Sequence, residues 1–178
     1  MNARFRLKEA TGTVHDRVDA AFGRYNLADA KAYGCFLSAQ AAILVPLEDA
    51  LTAAGASRLI EQWDDHRRTP SLLADLASLG LPMPTPIAPV PIGDDWELAG
   101  ALYVLEGSRF GGAVLHRRVG TSFPAAFLLA PQAPGRWTKF AMSLDQLLDT
   151  PHKLRSAIIA AAAVFERFEL AAGEASAE

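Results

Sequence analysis

A single cysteine, Cys35, stands in the 178 residues of this chain. That excludes an internal disulfide framework and a cysteine-based zinc site; in the apolar run Gly34-Cys-Phe-Leu37 it is expected as a small buried thiol. No 18 consecutive apolar residues occur, and the amino terminus has no apolar signal region, so a cytoplasmic protein with no membrane segment is expected. No lysine- or arginine-rich run is present, and the net charge of −3 is spread over interspersed signs. A nucleic-acid partner and an anionic membrane surface are therefore not expected. Several chemistries lack their parts: there is no Gly-x-Ser-x-Gly elbow, no P-loop, no His-Glu-x-x-His and no pair of Glu-x-x-His motifs. Strand periodicity is missing throughout.

Glycine, in contrast, is concentrated where a helix is expected. Asp94-Asp-Trp-Glu97 has the form of a capping box, and the helix it opens is expected to reach about Val119 and stop at Gly120. Yet it contains Gly100, Gly107, Gly111 and Gly112, each costing about 1 kcal/mol relative to alanine. Gly100, Val104, Gly107 and Gly111 share one face at helical spacing, leaving a strip with almost no side chain. Two readings fit: a second helix packed closely, or a planar ligand resting on bare backbone. Gly107-x-x-x-Gly111-Gly112 is not a dinucleotide fingerprint, because no strand precedes it.

The rest of the chain is expected to be helical, giving an all-α fold of about seven or eight helices in one domain over residues 1–178, with a frayed tail at 174–178. Leu7, Val14, Val18 and Phe22 form the apolar stripe of a first helix; beside it Lys8, Gly12, His15 and Asp19 form a second line. Asp19, one turn after His15, can hold one ring nitrogen and leave the other for a metal; a half-buried histidine in a surface pair fits the same spacing. A second helix spans about Asp29 to Ala54, with a kink expected at Pro46. A polar helix is expected over Ser57–Arg68, with His66 exposed among Asp64, Asp65, Arg67 and Arg68. Thr69-Pro70 and Thr150-Pro151 each place a capping hydroxyl before proline at a helix start. Between two of these helices, Pro82, Pro84, Pro86, Pro89 and Pro91 impose a stiff extended crossover. Phe123–Leu129 is a short helix or turn, and Arg136–Leu148 is amphipathic. His116 and His152 are expected in solvent at helix ends.

A histidine on one helix and a bare face on another suit a planar metallocycle, which takes an axial imidazole on one side and close backbone on the other. Leu7-Lys-Glu-Ala-Thr-Gly-Thr-Val-His15 resembles the proximal-helix segment of heme oxygenases. Leu102-Tyr-Val-Leu-Glu-Gly-Ser-Arg-Phe-Gly-Gly112 resembles their distal helix, in the version of bacterial enzymes associated with bacteriophytochromes. Ser71–Leu76 and the Trp137–Phe140 helix also fit that branch, so the likeness covers most of the chain. It implies the family's fold and its reaction, in which heme is opened by dioxygen and external electrons to biliverdin, carbon monoxide and ferrous iron.

The resemblance implies residue roles as well. His15 would be the proximal iron ligand and Asp19 its acidic partner; Lys8 would meet a heme propionate, with Arg136 and Lys139 as weaker propionate candidates. Gly107 and Gly111 would let the distal backbone approach dioxygen and bend, with Gly112 supporting that bend. The best-known heme oxygenases have an aspartate after the first glycine, organising the water that delivers protons, where this chain has Ser108. Proton delivery would then run through water, backbone carbonyls or another side chain, and Arg109 either points away or joins that network. No flavin or nicotinamide motif is present, so the resemblance implies a separate ferredoxin or reductase as electron donor, and a bacteriophytochrome as consumer of biliverdin. A non-catalytic heme carrier or sensor, and a helical scaffold whose glycines only pack helices, are the other readings.

Overall fold

The computed structural model describes residues 2–130 and 134–174. Among them are seven α-helices, one 3₁₀ turn and no strand. The expected all-helical architecture is therefore observed; of the expected frayed tail, Glu174 closes the last helix and 175–178 lie outside the described residues.

α1 (Ala3–Gly23) begins with the Asn2 side chain accepting from the Phe5 amide, while Asp145 accepts from the Ala3 amide at 2.5 Å. α2 (Ala30–Ala53) runs through Pro46 without a break. Proline has no N–H for the carbonyl four residues back; that carbonyl, on Ala42, accepts instead from the Ile87 amide at 2.7 Å. The proline-rich crossover is thus anchored where α2 lacks its own hydrogen bond. α2 is long and apolar enough to cross a bilayer by length and composition, but 61% of that window is buried against the rest of the fold. It is the central core helix, packed against α4, α5 and α7. Cys35 on it is half-buried rather than enclosed.

The expected helix over Ser57–Arg68 is not formed as one piece. A 3₁₀ turn at Ala56–Arg58 and a four-residue α3 (Trp63–His66) are separated by Gln62 in the left-handed region, at φ 55°. α4 (Thr69–Ser78) follows, and Thr69 is its first residue, not its cap. The cap comes from α2: the fully buried Glu48 carboxylate accepts from the Arg68 amide at 2.8 Å and the Thr69 amide at 3.0 Å. Carboxylates favour helix N-termini both by satisfying orphan donors and by opposing the helix dipole. Replacing Glu48 with alanine strands these amides in the interior, at about 3 kcal/mol. For a chain of this size the thermal midpoint should fall by about 6–12 °C; an unchanged midpoint would mean the cap is idle.

α5 (Asp95–His116) is capped by Asp94, whose carboxylate accepts from Trp96 and Glu97, while Glu97 accepts from the Gly93 amide. It ends at His116, a turn earlier than the stop expected at Gly120. Phe123–Leu129 forms turns, not a helix. α6 (Arg136–Leu147) and α7 (Pro151–Glu174) complete the order. α7 packs along both α1 and α5 and so sets the spacing between them. His152 is exposed at its start, edge-on to Trp96.

Candidate functional site

α1 and α5 share the walls of a cavity of about 690 Å³, a volume typical of cofactor and ligand sites (roughly 300–1,000 Å³). From α1 come Lys8, Gly12, His15 and Asp19; from α5 come Gly107, Ser108, Arg109, Gly111 and Gly112. Phe165 and Phe168 of α7, Phe36 and Gln40 of α2, and Trp137 of α6 close the remaining sides. Arg136 and Lys139 are not among the lining residues.

His15 is about half exposed at the cavity wall. Its Nδ1 lies 3.4 Å from Asp19 Oδ2 and 3.8 Å from Asp16 Oδ1, and the ring stands edge-on to Phe165. The i,i+4 step along α1 produces the Asp19 contact. Nδ1 thus has an acidic neighbour, while Nε2 has no protein hydrogen-bond partner among the described residues. An imidazole held from one nitrogen with the other free is the usual disposition of a metal-ligating histidine.

The glycines of α5 divide into two kinds. A Cβ at Gly100 would stand 2.1 Å from the Ala157 carbonyl oxygen of α7, and one at Gly112 would stand 2.5 Å from the Leu128 carbonyl oxygen. Those two let neighbouring backbone approach. A Cβ at Gly107 or Gly111 would meet nothing within 4 Å; these glycines bare the backbone towards the cavity. Close helix packing is thus observed at Gly100, while Gly107 and Gly111 leave open backbone on the cavity wall. A flat, apolar-sided group carrying one metal fits this donor set: a free imidazole nitrogen from α1, aromatic walls, and exposed backbone on α5.

Beside the cavity, and reaching its wall through Arg68 and Arg109, lies a charge cluster centred on the buried pair His66 and Glu106. His66, expected in solvent, is buried, with Nε2 at 2.8 and 3.0 Å from the two carboxylate oxygens of Glu106, itself fully buried. Its charged sequence neighbours concealed this; the signal was on α5, where Glu106 follows the buried Leu102 by one turn and needs a partner. Arg109 turns inward: its Nε donates to Glu106 at 3.2 Å and its Nη2 donates to the His66 carbonyl. Arg68 donates through Nη2 to Ser108 Oγ at 2.7 Å, and Ser108 donates in turn to the Leu105 carbonyl at 2.7 Å. Burial pushes the Glu106 carboxyl up, against the opposing pull of Arg109, and pushes Arg109 down. Arg68 is pushed down to about 10 by burial and the nearby Arg109 charge, and remains protonated at neutral pH. Where a carboxylate is expected from the resemblance, the chain thus presents a hydroxyl backed by a buried guanidinium.

No protein-family profile matches the chain. A heme oxygenase of Xanthomonas campestris pv. campestris (strain 8004) is 32% identical over 146 residues, covering 79% of this chain and 88% of that protein. The nitric-oxide- and carbon-monoxide-bound heme oxygenase of Neisseria meningitidis superposes with a TM-score of 0.83 at 26% identity, covering 98% of this chain and 92% of that one.

Proposed function

The chain belongs to the heme oxygenase family, and on that premise we propose that its heme occupies the α1/α5 cavity, where His15 would hold the iron. The family resemblance implies that heme is both cofactor and substrate, opened with dioxygen and external electrons to biliverdin, carbon monoxide and ferrous iron. The observation that carries the placement is the division of the α5 glycines, since Gly107 and Gly111 leave open space on the one wall that a ligand opposite His15 would need.

Each residue then has a task set by its position. His15 Nε2 would hold the iron, while Asp19, 3.4 Å from Nδ1, orients the ring. Lys8, exposed at the rim on the same line of α1, meets a propionate; Arg136 and Lys139, which are off the cavity wall, are at most peripheral to it. Gly107 and Gly111 let backbone, not side chains, limit how close dioxygen stands to α5, and Gly112 keeps α5 seated on the Leu128 segment. Ser108 has its proton committed to Leu105 and one lone pair committed to Arg68. Its remaining lone pair is left to accept from a water in the cavity, so Ser108 would order a proton donor without being one. Ser108→Ala should lower turnover about tenfold, the worth of one hydrogen bond of about 1.4 kcal/mol, and leave the Soret band in place. Turnover equal to the parent would remove Ser108 from the proton path.

Electrons come from a separate ferredoxin or reductase, and a bacteriophytochrome in the same cytoplasm is the natural consumer of biliverdin. Hemin added to the purified protein, followed by a reductase system under air, tests the reading. Decay of the Soret band with growth of biliverdin absorption is expected. A bound heme that persists under turnover conditions would favour a carrier instead.

A further inference from the structure

The segment His66–Arg68 is tied to α5 just where α5 loses its side chains. His66 Nε2 binds the Glu106 carboxylate, Arg109 binds both Glu106 and the His66 carbonyl, and Arg68 binds Ser108 and reaches the Leu105 carbonyl at 3.4 Å. All four α5 residues fall in one turn that contains Gly107. Further along, Gly112 rests on Leu128. Between these supports a Cβ at Gly107 or Gly111 would meet nothing, so this stretch of α5 is held by the His66–Arg68 segment, by Gly112 on Leu128 and by the edge contact of Phe110 with Trp137.

We propose that His66 is a positioning residue: through Glu106 it fixes the α5 backbone at Gly107–Gly111 relative to the heme. The proposal rests on the reading that heme occupies this cavity. A carboxylate as buried as Glu106 stays in place only while donors answer its charge. Its donors are His66 and Arg109, and Arg109 is itself steadied by the His66 carbonyl. Removing the imidazole leaves Glu106 half satisfied, and the turn of α5 that carries it should move towards water or open locally.

The test compares His66→Leu with His66→Gln, whose side-chain amide nitrogen can take the place of the ring Nε2. In the heme-free protein, amide hydrogen exchange over residues 105–112 should quicken roughly tenfold or more in His66→Leu. Exchange over residues 98–102 should match the parent, and His66→Gln should restore most of the protection. In the ferrous carbon-monoxide complex, His66→Leu should broaden or split the C–O stretching band, while His66→Gln keeps the parent band. Unchanged exchange over 105–112, equal quickening throughout the fold, or an unaltered C–O band in His66→Leu would each overturn the proposal. Failure of hemin to bind the unsubstituted protein would instead sink the reading of the cavity, so the two failures are told apart.

Discussion

His15→Ala should abolish the axial ligation of heme while leaving the fold intact. The side chain is half exposed and its contacts are to Asp19, Asp16 and the edge of Phe165. Truncation at such a place changes stability by about 0.5 kcal/mol or less. The consequence for heme is of another order. Losing a partner that merely orients a ligating histidine costs about 10–100-fold in affinity or activity, so losing the histidine should cost turnover more than about 100-fold. Asp19→Ala, which leaves the ligand but removes its orienting carboxylate, should sit in the range of about 10–100-fold. Imidazole added to His15→Ala should restore much of the bound-heme spectrum, because α1 is otherwise unchanged. A variant that binds and turns over hemin like the parent would require another ligand, and His116 and His152 would be next to test.

The second large effect separates the glycines of α5 by sign. Gly107→Ala and Gly111→Ala add a methyl group that meets no protein atom and remove the helix cost of glycine. The heme-free protein should gain up to about 1 kcal/mol from either, raising the thermal midpoint by about 2–4 °C. The same methyl intrudes on the space where dioxygen would stand, and turnover should fall by tenfold or more, roughly the effect of a one-methyl clash of 1–3 kcal/mol. Gly100→Ala and Gly112→Ala should do the opposite to stability. A Cβ at 2.1 Å from the Ala157 carbonyl oxygen, or 2.5 Å from that of Leu128, requires backbone to move apart. Such overpacking costs about 3 kcal/mol or more, lowering the midpoint by about 6–12 °C. If all four substitutions destabilise alike, the glycines are packing residues and the cavity has no functional face on α5.

Much of this was legible in the sequence because it rests on helical periodicity. Lys8, Gly12, His15 and Asp19 share a line on α1 by spacing alone, and all four line the cavity. Asp94 caps α5 as its motif implies. The glycines announced a bare strip, but which of them faces a helix and which a cavity depends on Ala157 and Leu128, remote in sequence and without a local signature. The same limit hid the cap of α4: the Thr69-Pro70 pattern points to a local hydroxyl, whereas Glu48 arrives from α2 with a buried carboxylate. His66 was misplaced because its charged neighbours describe the surface around it and not the interior beneath it. The question raised by Ser108 was legible; the side chain that binds its hydroxyl, Arg68, lies 40 residues away and across a helix boundary.

The central claim is that His15 ligates a heme whose other face is turned to the bare backbone of α5. Resonance Raman spectra of the ferrous heme complex test it most directly, in protein grown with ordinary and with nitrogen-15-labelled histidine. An iron–histidine stretching band that shifts with the label in the parent and vanishes in His15→Ala is the predicted result. A labelled band that survives in His15→Ala would place the iron on a different histidine and contradict the account.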